Sequence, residues 1–213
     1  MKGEWSRRLE RRFGSWAFPQ LAAFIVFMNA AIWVLSMVKP QFPLMLILDP
    51  SRVLHGEVWR LFTFLFIPPP LSPLWMFFWL YLLFLYAQAL EQEWGDFQFN
   101  LYYGIGALAT VAVSFFLGAG LSNVYLNASL FLAFATLYPD FELLIFFILP
   151  VKIKWLAALT AAGMVWSFLS GDTFDRWAVT AGLVNYAAFF GGEIWERGRL
   201  KAQVWRNRRR FRP

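Results

Sequence analysis

Few side chains in this sequence are able to do covalent chemistry. Ser129 stands in LNASLF, residues 126–131, at the mouth of a short apolar stretch. A serine hydroxyl becomes a nucleophile only when a neighbouring base takes its proton. The 213 residues hold one histidine, His55, and no cysteine. The missing thiols remove disulfides, thiol catalysis and cysteine metal sites, and a single imidazole leaves most general-base schemes without their usual group. His55 lies four residues before Trp59 in a long loop. It is alone there as a metal ligand, so no metal and no cofactor is expected. Asn185 lies in a late apolar segment; its amide can hydrogen-bond Ser129 but has no useful basicity near neutral pH. Ser129 therefore reads as a packing residue whose hydroxyl bonds back to a carbonyl one turn earlier.

Two charged residues stand out in so apolar a chain. Arg60 follows Trp59 in GEVWR, 56–60, and Glu91 lies in LEQEWG, 90–95. A guanidinium in an irregular loop can donate several hydrogen bonds to loop carbonyls and hold them in place. A carboxylate at the end of a span can accept from backbone N–H groups at a turn, and Gly95 permits a positive φ there. Both residues read as structural. Asp49 reads as a turn or helix N-cap, and Asn29, Asn100 and Asn185 as interhelical hydrogen-bond partners.

The elements that must position these groups are membrane helices. The chain is 60% hydrophobic and 15% charged, against about 25% charged for soluble domains. Crossing about 30 Å of hydrocarbon takes ~20 apolar residues. Segments 20–38, 73–89, 99–117, 154–170 and 178–194 fit, and a shorter one, 124–138, lies between GAGLSN and Pro139. Fifteen residues make only about 22 Å of helix, so this fourth helix must begin below one membrane face. The irregular GAGLSN is then tolerated at depth only if buried in protein or lining a wet cavity. The first loop, 39–72, is too long and too apolar for a simple connector and reads as a structured interfacial piece. The expected fold is an all-α polytopic membrane protein with six transmembrane helices, a structured interfacial first loop and a short recessed fourth helix.

Lys and Arg set the orientation. Fifteen of the nineteen fall on one side: five before the first span, Lys152 and Lys154, and eight after the last. Lys39, Arg52, Arg60 and Arg176 fall on the other. Both termini are thus expected in the cytoplasm, and the expected membrane is the bacterial cytoplasmic one. The chain divides into a basic segment 1–18, a membrane domain 19–195 and a basic tail 196–213. The tail reads as a contact for anionic lipid, at about 1 kcal/mol per charge near the surface, and no nucleic-acid partner is expected.

Taken in order, these features resemble the rhomboid superfamily over about residues 18–195. The matching pieces are Trp59–Arg60 in the long first loop and Glu91 with Gly95 at the end of span two. Ser129 stands in the nucleophile place at the head of the short fourth helix, and LPVKIKWL, 149–156, looks like the connection that follows it. In the last span, Ala181, Gly182, Ala188 and Gly192 are small residues at helical spacing, with Ala188 and Gly192 forming a small-xxx-small pair for close helix contact. The departures are equally specific. The resemblance implies a histidine where this chain has Asn185, and polar residues where it has Trp75 and Trp79. Asn127 and Leu130 replace the two glycines that flank Ala-Ser in such a motif. This pattern is similar to the Derlin-like, non-proteolytic branch.

What the resemblance implies is a catalytically inactive rhomboid-like protein, not an enzyme, with a lateral opening beside helices two and five and local thinning of the bilayer. Transmembrane client proteins would be bound or shielded there, in the manner of membrane protein quality control, and oligomerisation is left open. Two rivals follow from the same residues: an intramembrane serine protease with an unorthodox base, and a small lipid- or solute-handling protein. No ionisable residue lies mid-span, where ion coupling would need one.

Overall fold

A computed structural model describes residues 4–145 and 149–210, with side chains described over 9–143, 150–191 and at 199. An N-terminal helix, α1 (Glu4–Phe13), precedes the first apolar helix, α2 (Leu21–Val38). The first loop is structured, as expected: it contains α3 (Pro50–Leu54), α4 (Arg60–Thr63) and 3-10 turns at Phe42–Met45 and Phe64–Phe66. Then come α5 (Pro73–Trp94), α6 (Asp96–Leu117), α7 (Val124–Leu137), α8 (Ile153–Ser170) and α9 (Thr173–Arg210). Proline at the first position of α3 and of α5 suits a helix start, where its missing N–H is not needed.

The fourth apolar helix is short, as its sequence requires. Its 14 residues reach about 21 Å, against about 33 Å for the 22 residues of α5 and of α6.

The all-α membrane fold stands, while length and apolar composition mark fewer spans than six. Among the described residues, four helices rather than six are long and apolar enough to cross a membrane: α2, α5, α6 and α8. α7 is too short, and the expected sixth span lies in α9, where Asp175, Arg176 and Asn185 dilute the apolar pattern. Beside the helices there is one short hairpin among the described residues. β1 (Glu142–Ile145) and β2 (Leu149–Lys152) pair antiparallel, with Glu142 opposite Lys152 and Leu143 opposite Val151. Short apolar runs rich in Ile, Leu and Phe do not by themselves distinguish strand from helix. α9 continues to Arg210, past residue 195.

The core forms where α2, α5, α6, α7 and α9 meet. α2 packs along α5, while α9 lies against both α6 and α7. Glycines allow the closest approaches. A Cβ at Gly182 would stand 2.7 Å from the Tyr125 carbonyl oxygen, and one at Gly106 would stand 2.7 Å from Asn185 Nδ2. The intimate contacts of α9 therefore run through Ala181, Gly182 and Asn185, all buried. Ala188 is exposed. On a helix turning about 100° per residue, the buried Val179, Ala181, Gly182, Asn185 and Phe190 gather on one side, and Ala188 falls beyond its edge. The expected Ala188/Gly192 pair involves Gly192, whose surroundings lie outside the described residues.

Candidate functional site

Arg60 organises the first loop. It is 2% exposed. Its Nη1 donates to the carbonyls of Leu44 (3.1 Å) and Ile47 (2.8 Å), and its Nε donates to Glu57 Oε2 (2.6 Å). Four reinforcing bonds tie the same strip of chain: Trp59 Nε1 to Met45 O, Thr63 Oγ1 to Leu46 O, and Asp49 Oδ1 accepting from the amides of Ser51 and Arg52 at the head of α3. The Ser51 hydroxyl also donates to Asp49 and, with these amides, holds its carboxyl below the usual range. One planar cation thus satisfies carbonyls that no regular element would pair.

Glu91 works at the other face. It is buried, and its Oε1 accepts from the amide of Ala22 at 3.3 Å. A carboxylate placed against the first turn of α2 satisfies an N–H that has no intrahelical partner, at the positive end of the helix dipole. Gly95, with φ 83°, turns the chain from α5 directly into α6. Asn100 fastens the approach to α2 by exchanging hydrogen bonds with both backbone groups of Phe18. The other two asparagines expected to bridge helices do not: Asn29 donates to Ile25 O in its own helix, and both amide atoms of Asn185 have no partner among the described residues.

Ser129 is fully buried. Its hydroxyl donates to Leu126 O at 2.8 Å, the back-bond expected from its helical position. Tyr102, on α6, donates to Ser129 from above, with its hydroxyl 3.0 Å from the Ser129 carbonyl and 3.2 Å from Oγ. This clamp was not foreseen, since Tyr102 lies among aromatics that read only as apolar filling. No imidazole, amine or carboxylate contacts Oγ among the described residues; His55 is exposed in the first loop, with Nδ1 2.6 Å from Ser51 O. Of the two tryptophans that replace expected polar residues, Trp75 is half exposed at the start of α5, and Trp79 turns inward to line a cavity.

That cavity lies between three helices. It holds about 580 Å3 between α5 (Trp79, Leu82, Tyr86), the head of α7 (Asn123 to Phe131) and α8 (Leu156, Leu159, Thr160), with Pro68, Pro69 and Pro70 forming its rim. α5 and α8 flank it with little direct contact between them. Its walls are mostly apolar. The polar exceptions gather near α7: Asn123 spends Nδ2 on the carbonyls of Leu65 (2.8 Å) and Ile67 (3.1 Å), while Asn127 Oδ1 is buried and unpartnered. Asn123 thereby ties the proline rim to the head of α7. The IPPP run is the signal that marked this rim, because proline cannot donate to regular structure.

The family described as "Eukaryotic integral membrane protein (DUF1751)" matches residues 19–190. No curated protein matches the chain. The family description overturns the expected bacterial cytoplasmic membrane, because its members are described as eukaryotic; the integral membrane character stands.

Proposed function

Because the chain belongs to the eukaryotic integral membrane protein family DUF1751, we propose that it acts as a catalytically inactive, rhomboid-like protein that binds or shields transmembrane clients in the cavity between α5 and α8. The observation that carries this reading is the pairing of an open apolar cavity with a buried, unactivated serine. Ser129 is held by Leu126 and Tyr102, and Asn185, in the place of the base, makes no hydrogen bond to it. A hydroxyl without a base contributes nothing to bond cleavage, whereas an apolar cleft of this size with a few polar groups suits an apolar occupant. The shortness of α7 adds a second physical reason: a helix shorter than the bilayer draws the lipid surface inward, easing lateral entry. The basic termini contact anionic lipid in this reading and take no nucleic acid.

Photocrosslinking in native membranes tests it. A photoreactive residue at Leu159 or Phe77 should yield protein adducts, while one at Phe27, exposed on α2, should yield mainly lipid. Lipid adducts alone at all three positions would favour a lipid handler. Covalent labelling of Ser129 by a fluorophosphonate would favour the protease.

A further inference from the structure

A second, smaller pocket of about 320 Å3 lies at the other ends of these helices, lined by Leu85, Ala89, Gln92, Glu93, Phe134, Tyr138 and Phe141. Its chemistry differs from that of the lateral cavity. Phe134 meets Tyr138 at 5.2 Å between ring centroids and Phe141 at 5.7 Å, the latter edge-on. Glu93 completes the pocket: it accepts from the Tyr138 hydroxyl at 3.1 Å and has no basic partner among the described residues. Glu93 is in the last turn of α5 and Tyr138 caps the end of α7, so two negative helix ends converge here. Aromatic faces, a carboxylate and two helix C-termini all favour the same ligand, a cation with an apolar shell.

We infer that this pocket holds the ammonium group of a zwitterionic phospholipid headgroup. The place selects the occupant. The pocket opens at the end of α5, a helix long enough to span the membrane, where headgroups lie. Just beyond it, the amide of Ile153 donates to Phe141 O and the amide of Lys154 to Pro139 O. These bonds hold Lys152 and Lys154, both more than 40% exposed, beside the chain that carries the rings. Their pairs with Asp140 are at the surface and exchange readily, leaving two ammonium groups near the level of a lipid phosphate. A pocket of this volume takes a headgroup and not a helix. The inference is independent of client binding, because the lateral cavity and this pocket share no lining residue.

Native mass spectrometry of the detergent-purified full chain, titrated with phosphatidylcholine and phosphatidylglycerol of identical acyl chains, tests it. Wild type should bind phosphatidylcholine at this pocket, while phosphatidylglycerol binds through the basic termini. Glu93→Gln removes the carboxylate charge, and Phe141→Leu removes a π face while keeping apolar bulk. Each should weaken phosphatidylcholine binding about five- to tenfold, the range a partly desolvated cation–π or ionic contact supplies, and leave phosphatidylglycerol binding unchanged. Melting temperatures measured without added lipid separate loss of the site from loss of the fold, since Glu93 is exposed and its glutamine variant should melt like wild type. Absence of phosphatidylcholine binding by wild type, or unchanged phosphatidylcholine binding in both variants, overturns the assignment. So does binding of soluble phosphocholine with no binding of the diacyl lipid.

Discussion

Replacing Arg60 by alanine should unfasten the first loop. The side chain is 2% exposed and makes three hydrogen bonds, two to backbone carbonyls of Leu44 and Ile47 and one to Glu57. A hydrogen bond with one charged partner contributes about 1.5–3 kcal/mol. The Glu57 pair deserves a discount, since that carboxylate is 33% exposed and screened pairs rarely exceed about 1 kcal/mol. The sum is about 3–7 kcal/mol, and the part of it that matches truncating one member of a buried charged group, about 3–5 kcal/mol, is taken as the loss. For a chain of this length, 1 kcal/mol moves Tm by about 2–4 °C, so Arg60→Ala should melt about 6–20 °C below wild type in detergent, followed by tryptophan fluorescence. Arg60→Lys tests the geometry: it keeps the charge but cannot reach two carbonyls and a carboxylate with one planar fork, and should recover less than half of the loss. An Arg60→Ala protein that melts within 2 °C of wild type would refute the argument and require a role for Arg60 outside the folded loop.

Other outcomes follow from the helix contacts. Gly182→Ala would drive a methyl into the Tyr125 carbonyl, a backbone atom that cannot swing aside, and should lower stability by about 1–3 kcal/mol, measured by the same melt; Gly163→Ala, in open space on α8, is the control and should melt no lower than wild type, since alanine is the better helix former. Ser129→Ala should leave client crosslinking intact and cost at most about 1.5 kcal/mol for its back-bond. Asn185→His should create no protease against a transmembrane model substrate, because Trp75 and Trp79 supply no prepared oxyanion donors, each worth ~10²–10³ in rate; cleavage by this variant would show that the tryptophans were misjudged. Protease digestion of sealed vesicles should reach the basic tail from the cytoplasmic side and the 39–72 loop from the other, and a protected tail would reverse the orientation.

The sequence by itself determined the parts of this protein whose physics is local or compositional. Apolar length alone located α2, α5, α6 and α8. The stretch from Asn123 to Pro139 is too short for a full span, and α7 is correspondingly short. A guanidinium buried in an irregular loop has few uses, so Arg60 was legible as the loop's fastener and Gly95 as the turn after α5, whereas the partner of Glu91, the Ala22 amide 69 residues away, was not. Tertiary structure decided whatever depends on which residues meet across the chain. Tyr102 clamps Ser129 from 27 residues away, and Asn123 holds the Leu65 carbonyl across 58; nothing in their spacing announces either partner. Whether Ala188 or Gly182 provides the close contact on α9 depends on how that helix is rotated against α6 and α7, which small residues on both faces leave undecided. The β-hairpin was hidden for a similar reason: an apolar run between two membrane helices satisfies its backbone as helix or as strand, and only its pairing partner decides between them.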